Sequence, residues 1–117
     1  MDFEKLDVWK RSCRLSVNVY KDLRNLKDYG FKDQITRASL SIPSNIAEGM
    51  VKHTNIEKSR FLHIANGSCA ELRTQTYIGM EIGYIPEQTG IAWIKETKEI
   101  SSMLAGLIKK LAVSYKL

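Results

Sequence analysis

The fold is decided by one stretch of the sequence, Arg37-Ala38-Ser39-Leu40-Ser41-Ile42-Pro43-Ser44-Asn45-Ile46-Ala47-Glu48-Gly49. A helical repeat of 100° per residue divides the apolar side chains in and next to this stretch between two nearly opposite sectors. The first sector consists of Ile35, Ala38, Ile42, Ile46 and Gly49, and the second of Leu40 and Ala47. Because a helix that is apolar on two flanks is usually buried on both, the pattern predicts a helix that packs against neighbours on two sides.

A polar stripe lies between these two sectors, within about 100° of arc. It consists of Arg37, Ser41, Ser44, Asn45 and Glu48. The stripe is either an internal seam against a neighbouring helix or the floor of a groove that faces a ligand or another subunit. We favour the seam, in which Arg37 pairs with Glu71 of the third helix, because a buried charge needs a partner. In that arrangement Ser41 and Asn45 bond to the carbonyl groups that Pro43 leaves free.

Composition and length are those of an ordinary globular protein. The 117 residues are 44% hydrophobic and 26% charged, which predicts one domain, residues 1–117, with a core that needs no metal or disulfide. The 18 Lys and Arg against 13 Asp and Glu give a net charge of +5, a mild bias towards nucleic acids and other polyanions. With no secretory signal and no membrane span in the sequence, we expect a cytoplasmic protein in which Cys13 and Cys69 stay reduced.

Apolar residues recur with a period of 3.6 and not of two, which predicts an all-α protein. Four helices are expected over residues 6–26, 31–50, 55–83 and 86–115, with Gly30 in a left-handed conformation after the first and a capping box, Thr54 and Glu57, before the third. Short turns make consecutive helices antiparallel, so the predicted fold is an up-down-up-down four-helix bundle. Pro43 predicts a kink in helix two, and the mid-helix Gly67 predicts a close neighbour.

Two rows of basic residues lie on outer helix faces. The basic row of helix one comprises Lys10, Arg14, Lys21 and Arg24, opposite an apolar face that includes Trp9, Cys13, Ser16, Tyr20 and Leu23. It is either a solvated face or a surface that contacts phosphates, which a ring of several copies would reinforce. A weaker candidate, the lysine row of helix four, comprises Lys95, Lys98, Lys109 and Lys116, and is diluted by Glu96 and Glu99.

The sequence carries no pattern that is typical of catalysis, of a cofactor or of a metal. It has no Ser-His-Asp order, no phosphate-binding glycine loop and no Glu-x-x-His motif of helix-bundle di-iron sites. His53, His63, Cys13 and Cys69 do not fall at chelating spacings. We therefore predict a protein that is not an enzyme, with no cofactor, no metal and no small-molecule substrate.

The quoted stretch, together with Phe61-Leu62-His63-Ile64-Ala65-Asn66-Gly67-Ser68-Cys69-Ala70-Glu71, resembles a known family. These are the four-helix-bundle proteins encoded in intervening sequences of bacterial 23S rRNA genes, also called the S23 ribosomal protein family. Leu6-Asp7-Val8-Trp9 and Tyr29-Gly30 fit the same pattern, so the resemblance covers essentially the whole chain. Thr36-Arg37 and Val51-Lys52 depart from it, because the family often has paired arginines and a Gly-Arg at these places.

The resemblance implies a bundle that assembles into rings, typically pentamers. It also implies kinship with the accessory protein of diversity-generating retroelements, a basic pentameric bundle that binds nucleic acid and works with a reverse transcriptase. We therefore expect a homo-oligomer, without contact to a membrane, that binds RNA or DNA through the basic row and is linked to 23S rRNA intervening sequences. The alternative is a structural or protein-interaction ring that contacts a protein partner such as a reverse transcriptase.

Overall fold

The computed structural model describes residues 2–113, which form four long α-helices around one core. The helices are α1 (Asp7–Asp22), α2 (Tyr29–Met50), α3 (Asn55–Glu81) and α4 (Glu87–Val113), after a short 3₁₀ helix at Phe3–Lys5. Each helix packs against the next, and α4 packs back against α1, as in an antiparallel up-down-up-down bundle. The predicted all-α four-helix bundle is confirmed. Within residues 2–113, no helix combines the length and the apolar character needed to cross a membrane.

Capping side chains determine where two of the helices begin. The Asp28 carboxylate accepts a hydrogen bond of 3.1 Å from the Phe31 amide, and α2 consequently starts at Tyr29, two residues before the predicted start. Gly30 therefore lies in the first turn of α2, and its predicted left-handed conformation is wrong. Thr54 accepts a bond of 3.2 Å from the Glu57 amide, which confirms the predicted cap of α3.

Only one of the two apolar sectors predicted for α2 is buried in the core. This is the first sector of α2, which consists of Ile35, Ala38, Ile42, Ile46 and Gly49. The second sector is not, because Leu40 is 49% exposed and Ala47 is half-buried. α1 and α3 lie on the two edges of the first sector, where Ser39 bonds to Ser16 and Ser41 bonds to Ser68. The prediction of burial around Leu40 is wrong because both neighbouring helices flank the same side of α2.

α2 runs without interruption through Pro43, which is buried. Pro43 has no amide hydrogen, so the Ser39 carbonyl loses its helical donor. Asn45 does not replace that donor: its side-chain nitrogen donates to the Ser41 carbonyl at 2.8 Å and to the Ser41 hydroxyl at 2.9 Å. The predicted compensation at the proline is therefore wrong, and the kink stays a prediction.

A charged cluster joins α1 to α4. Arg11 donates through Nε to Glu96 Oε2 at 2.9 Å and through Nη2 to Glu96 Oε1 at 2.6 Å and Glu99 Oε2 at 2.7 Å. The hydrogen bonds from Arg11 hold the pKa of Glu96 below its usual range. Both carboxylates that dilute the lysine row thus have a structural partner on α1.

Arg11→Met should lower the free energy of unfolding at neutral pH by about 1 kcal/mol, a modest loss because solvent screens a pair that is about one-third exposed. Since folding depresses the pKa of Glu96, this stabilisation is present above its unfolded value of 4.5 and is lost as the pH falls through the folded value. Urea unfolding should therefore separate variant and wild type near neutral pH, and the difference should shrink as the pH is lowered below 4.5. Lys10→Met is the matched control, and an equal difference at neutral and at acidic pH would contradict the ion pair as the cause.

Candidate nucleic-acid interface

Three members of the basic row, Lys10, Arg14 and Lys21, lie on the outer face of α1, whereas Arg24 lies in the turn after α1 ends at Asp22; all four side chains are exposed. α1 turns the opposite face, with Val8, Leu15 and Val19, into the core, and this directs the cations outward. Lys10 and Lys21 are separated by about 17 Å along the helix, at about 1.5 Å per residue. Within residues 2–113, no side chain of the basic row takes part in an ion pair, but the charge of Arg14 contributes to the lowered pKa of Glu96.

Other arginines of the chain have partners within the bundle. Arg11 is held by two carboxylates, and Arg73 donates to the Thr97 hydroxyl at 3.1 Å. Arg37 pairs with Asp33 at 3.0 Å. A cation without such a partner can contact an external anion without first breaking an intramolecular bond, which distinguishes the basic row from these arginines.

The lysine row of α4 is exposed at Lys95, Lys98 and Lys109, whereas Lys116 lies outside the described residues. Glu99 lies among these lysines and is itself 47% exposed. Arg11 supplies one positive charge against the two carboxylates of Glu96 and Glu99, so this cluster has a net negative charge and lowers the positive potential of the α4 surface. The lysine row therefore stays the weaker candidate.

The polar stripe of α2 faces solvent over most of its length. Arg37, Ser44, Glu48 and also Glu71 of α3 are exposed. The predicted Arg37–Glu71 pair is wrong: Arg37 is 75% exposed and bonds to Asp33, its neighbour one turn earlier on the same helix. At the edge next to α3, Ser41 shares a hydrogen bond of 2.8 Å with Ser68. The stripe thus contacts α3 along one edge and leaves the rest of its surface open.

Glu71→Ala should leave the free energy of unfolding within about 0.5 kcal/mol of the wild-type value, because exposed carboxylates contribute little to stability. Arg37→Ala should behave in the same way, since exposed pairs one turn apart contribute about 0.3–0.5 kcal/mol. Urea unfolding followed by circular dichroism measures both. A loss above about 1 kcal/mol in Glu71→Ala would mean that this carboxylate has a buried partner.

The basic row ends at a cleft between the last turns of α1 and the first turns of α2. Its volume is about 780 Å³, and its walls include Tyr20, Lys21, Arg24, Tyr29 and Lys32. Tyr20 belongs to the predicted apolar face of helix one, yet it is 44% exposed here, and Tyr29 is 69% exposed. The sequence analysis did not predict this cleft. A signal for it was present, because a tyrosine lies close to a lysine both before and after the turn between helices one and two.

The groups that could carry covalent or metal chemistry are few in the described part of the chain. No cluster of three or more His, Cys, Asp or Glu side chains is arranged there to hold a metal ion. Cys13 and Cys69 are free thiols, and burial raises the pKa of both, that of Cys69 to about 11. A thiol in this state is protonated at neutral pH and is a poor nucleophile.

The fold and its surface define a basic four-helix bundle, and comparison with known proteins places that bundle in a family. Residues 4–106 match the model of the 23S rRNA-intervening sequence protein family, so the chain belongs to this family, as its motifs predict. A similar solved structure is that of a protein of unknown function from the S23 ribosomal protein family of Bacteroides thetaiotaomicron VPI-5482. The two share 24% identity and a TM-score of 0.82 over 87% of this chain and 98% of that one, which shows a common fold. No curated protein matches the chain.

Proposed function

We propose that this chain is a non-enzymatic, homo-oligomeric bundle that binds RNA or DNA through the basic row of α1. The supporting observation is that three exposed cations without ion pairs share the outer face of α1, and that a fourth, Arg24, follows in the turn after the helix. Each such cation can neutralise a phosphate and release the counterions that surround it. The family description, 23S rRNA-intervening sequence protein, favours RNA over DNA as the ligand.

The recognition expected of this surface is electrostatic. Lysine and arginine side chains that contact phosphates position a nucleic acid but do not read its bases. From Lys10 to Lys21 the row spans about 17 Å of helix, which is enough to follow several successive phosphates of one strand. Binding should therefore be tolerant of sequence, strongly dependent on salt, and reinforced when several copies present their rows together.

Self-association is supported by the outer face of α3. Ile64 and Ile78 are exposed there, as is Ile82 at the C-cap, all within about 40° of arc. Gly67 lies between Ile64 and Ile78 along the helix, and no heavy atom outside its own part of α3 comes within 4 Å of the position that a Cβ would take. The close neighbour predicted for Gly67 is thus not found within residues 2–113, and a second copy would supply it. The pentamer implied by the family resemblance is the assembly we propose.

A second candidate function rests on a different exposed apolar surface, between α3 and α4. If this surface contacts another protein, such as a reverse transcriptase, the chain is a structural or protein-interaction ring. Tyr77 of α3 and Ile91 of α4, which line one shared cleft and are both about half exposed, favour a contact of this kind. In this alternative the basic row is a solvated surface.

Gel-shift titration with a structured RNA at two salt concentrations tests the proposal. Binding should be detectable at low salt and should weaken by more than about tenfold between about 50 and 200 mM salt, because several phosphate contacts are involved. Solution mass should be a multiple of 13.4 kDa, with five copies expected. Absent or salt-insensitive binding would contradict nucleic-acid binding, and a monomeric mass would contradict the assembly.

A further inference from the structure

We infer that the cleft between α1 and α2 receives an unpaired nucleobase, so that the chain prefers single-stranded or looped RNA to a continuous duplex. The inference rests on the proposed function, because it specifies which nucleic acid the basic row recruits. The volume of the cleft is about 780 Å³. This falls in the range of about 300–1,000 Å³ that is typical of small-molecule sites, and it is ample for a nucleotide.

The cleft is positively charged on both walls. Lys21 lines it from the last turn of α1, Arg24 from the turn that follows, and Lys32 from α2. The carboxylate at its rim, Asp33, is bonded to Arg37 at 3.0 Å, and its charge is therefore balanced. A phosphate that follows the basic row towards the C-terminal end of α1 meets three cations at this point.

The same cleft exposes two aromatic rings. Tyr20 and Tyr29 are 44% and 69% exposed, and neither ring is stacked on another aromatic ring in the described residues. Exposed rings beside a basic groove are the arrangement that binds single strands, because every base has a face that can stack on them. A base inside a continuous duplex is already stacked on both faces and cannot enter.

Contacts within the chain connect the two walls of the cleft. Lys32 donates to the Arg24 carbonyl at 3.2 Å, which joins the end of α1 to the start of α2, and its ammonium lies 5.3 Å from the centre of the Tyr29 ring. The Thr36 hydroxyl donates to the Lys32 carbonyl at 2.7 Å, so this polar group of the lining already has its partner. The site therefore exists before a ligand arrives.

The test compares two RNAs of equal length, one a hairpin with an unpaired loop and one a fully paired duplex, by fluorescence anisotropy at low salt. The double variant Tyr20→Leu/Tyr29→Leu removes both rings and keeps apolar bulk. It should lose about tenfold or more in affinity for the looped RNA and less than about twofold for the duplex. Tyr77→Leu, an equally exposed tyrosine on α3, is the matched control and should bind both RNAs as the wild type does.

Equal losses for both RNAs, or no loss for the looped one, would overturn the inference and leave the proposed function intact. Failure of the wild-type chain to bind either RNA would overturn both. If circular dichroism shows that the double variant is unfolded, Tyr29→Leu alone gives the decision, because Tyr29 is the more exposed ring. That variant should lose about fivefold for the looped RNA, and wild-type affinity would again overturn the inference.

Discussion

Gly49→Ala should lower the free energy of unfolding by about 2 kcal/mol, although alanine is the better helix former by about 1 kcal/mol. A Cβ at this position would lie 2.8 Å from the Phe61 Cβ and 3.2 Å from the Lys58 carbonyl oxygen. Neither atom can move unless the α3 backbone moves, and α3 packs more extensively against α2 than against any other helix. Urea unfolding, followed by the circular-dichroism signal of the helices, measures the change.

Gly67→Ala is the matched control, with an effect of the opposite sign. Nothing lies within 4 Å of the added Cβ, so the isolated fold should gain about 0.5–1 kcal/mol from the better helix former. Stabilisation by both substitutions would mean that α2 and α3 do not approach closely at Gly49. A Gly67→Ala chain that is folded but no longer assembles would support the α3 face as the contact between copies.

Lys21→Glu/Arg24→Glu should lower the affinity for structured RNA by about a hundredfold at low salt, because two phosphate contacts are lost and two repulsive charges replace them. Both side chains are exposed and have no ion pair within the described residues, so the melting temperature should change little. Gel shift and anisotropy measure the affinity, and a thermal melt shows that the fold is intact.

Lys95→Glu/Lys98→Glu changes the net charge by the same amount on the outer face of α4. If the basic row is the interface, this control should weaken binding by about threefold or less, through the long-range field alone. Equal losses in the two double variants would mean that overall charge controls binding and that α1 has no special role.

Helical periodicity predicted those features that depend on one helix at a time. The recurrence of Ile35, Ile42 and Ile46 placed the buried side of α2 correctly, because side chains three and four positions apart share a face. The exposure of the basic row follows from the same rule applied to α1. Such predictions succeed because each needs no knowledge of where the other helices lie.

Features that depend on the arrangement of helices were beyond the sequence. Arg37 was expected to pair with Glu71, but its side chain is 75% exposed and bonds to Asp33 on the same helix. Leu40 was expected to be buried because periodicity does not reveal that α1 and α3 flank the same side of α2. A local ion pair one turn away needs no particular packing, and here it formed.

The cleft was missed for a related reason. α1 was expected to continue to about residue 26, but it ends at Asp22, and α2 begins earlier than expected, at Tyr29. The cleft forms where these two helix ends meet, so an error of a few residues at each end conceals it. Helix boundaries are set by caps such as Asp28, whose strength a hydrophobic pattern does not report.

The salt dependence of RNA binding tests the central claim most directly, because its slope counts the phosphate contacts. The comparison is between wild type and Lys10→Gln/Arg14→Gln/Lys21→Gln/Arg24→Gln, in which the basic row is neutral. If the basic row is the interface, each chain bound to single-stranded RNA should lose about four phosphate contacts. The slope of log K against log salt should then become shallower by about 3 for each bound chain, since each contact contributes about 0.7. An unchanged slope would show that the phosphates are bound elsewhere and would contradict the account.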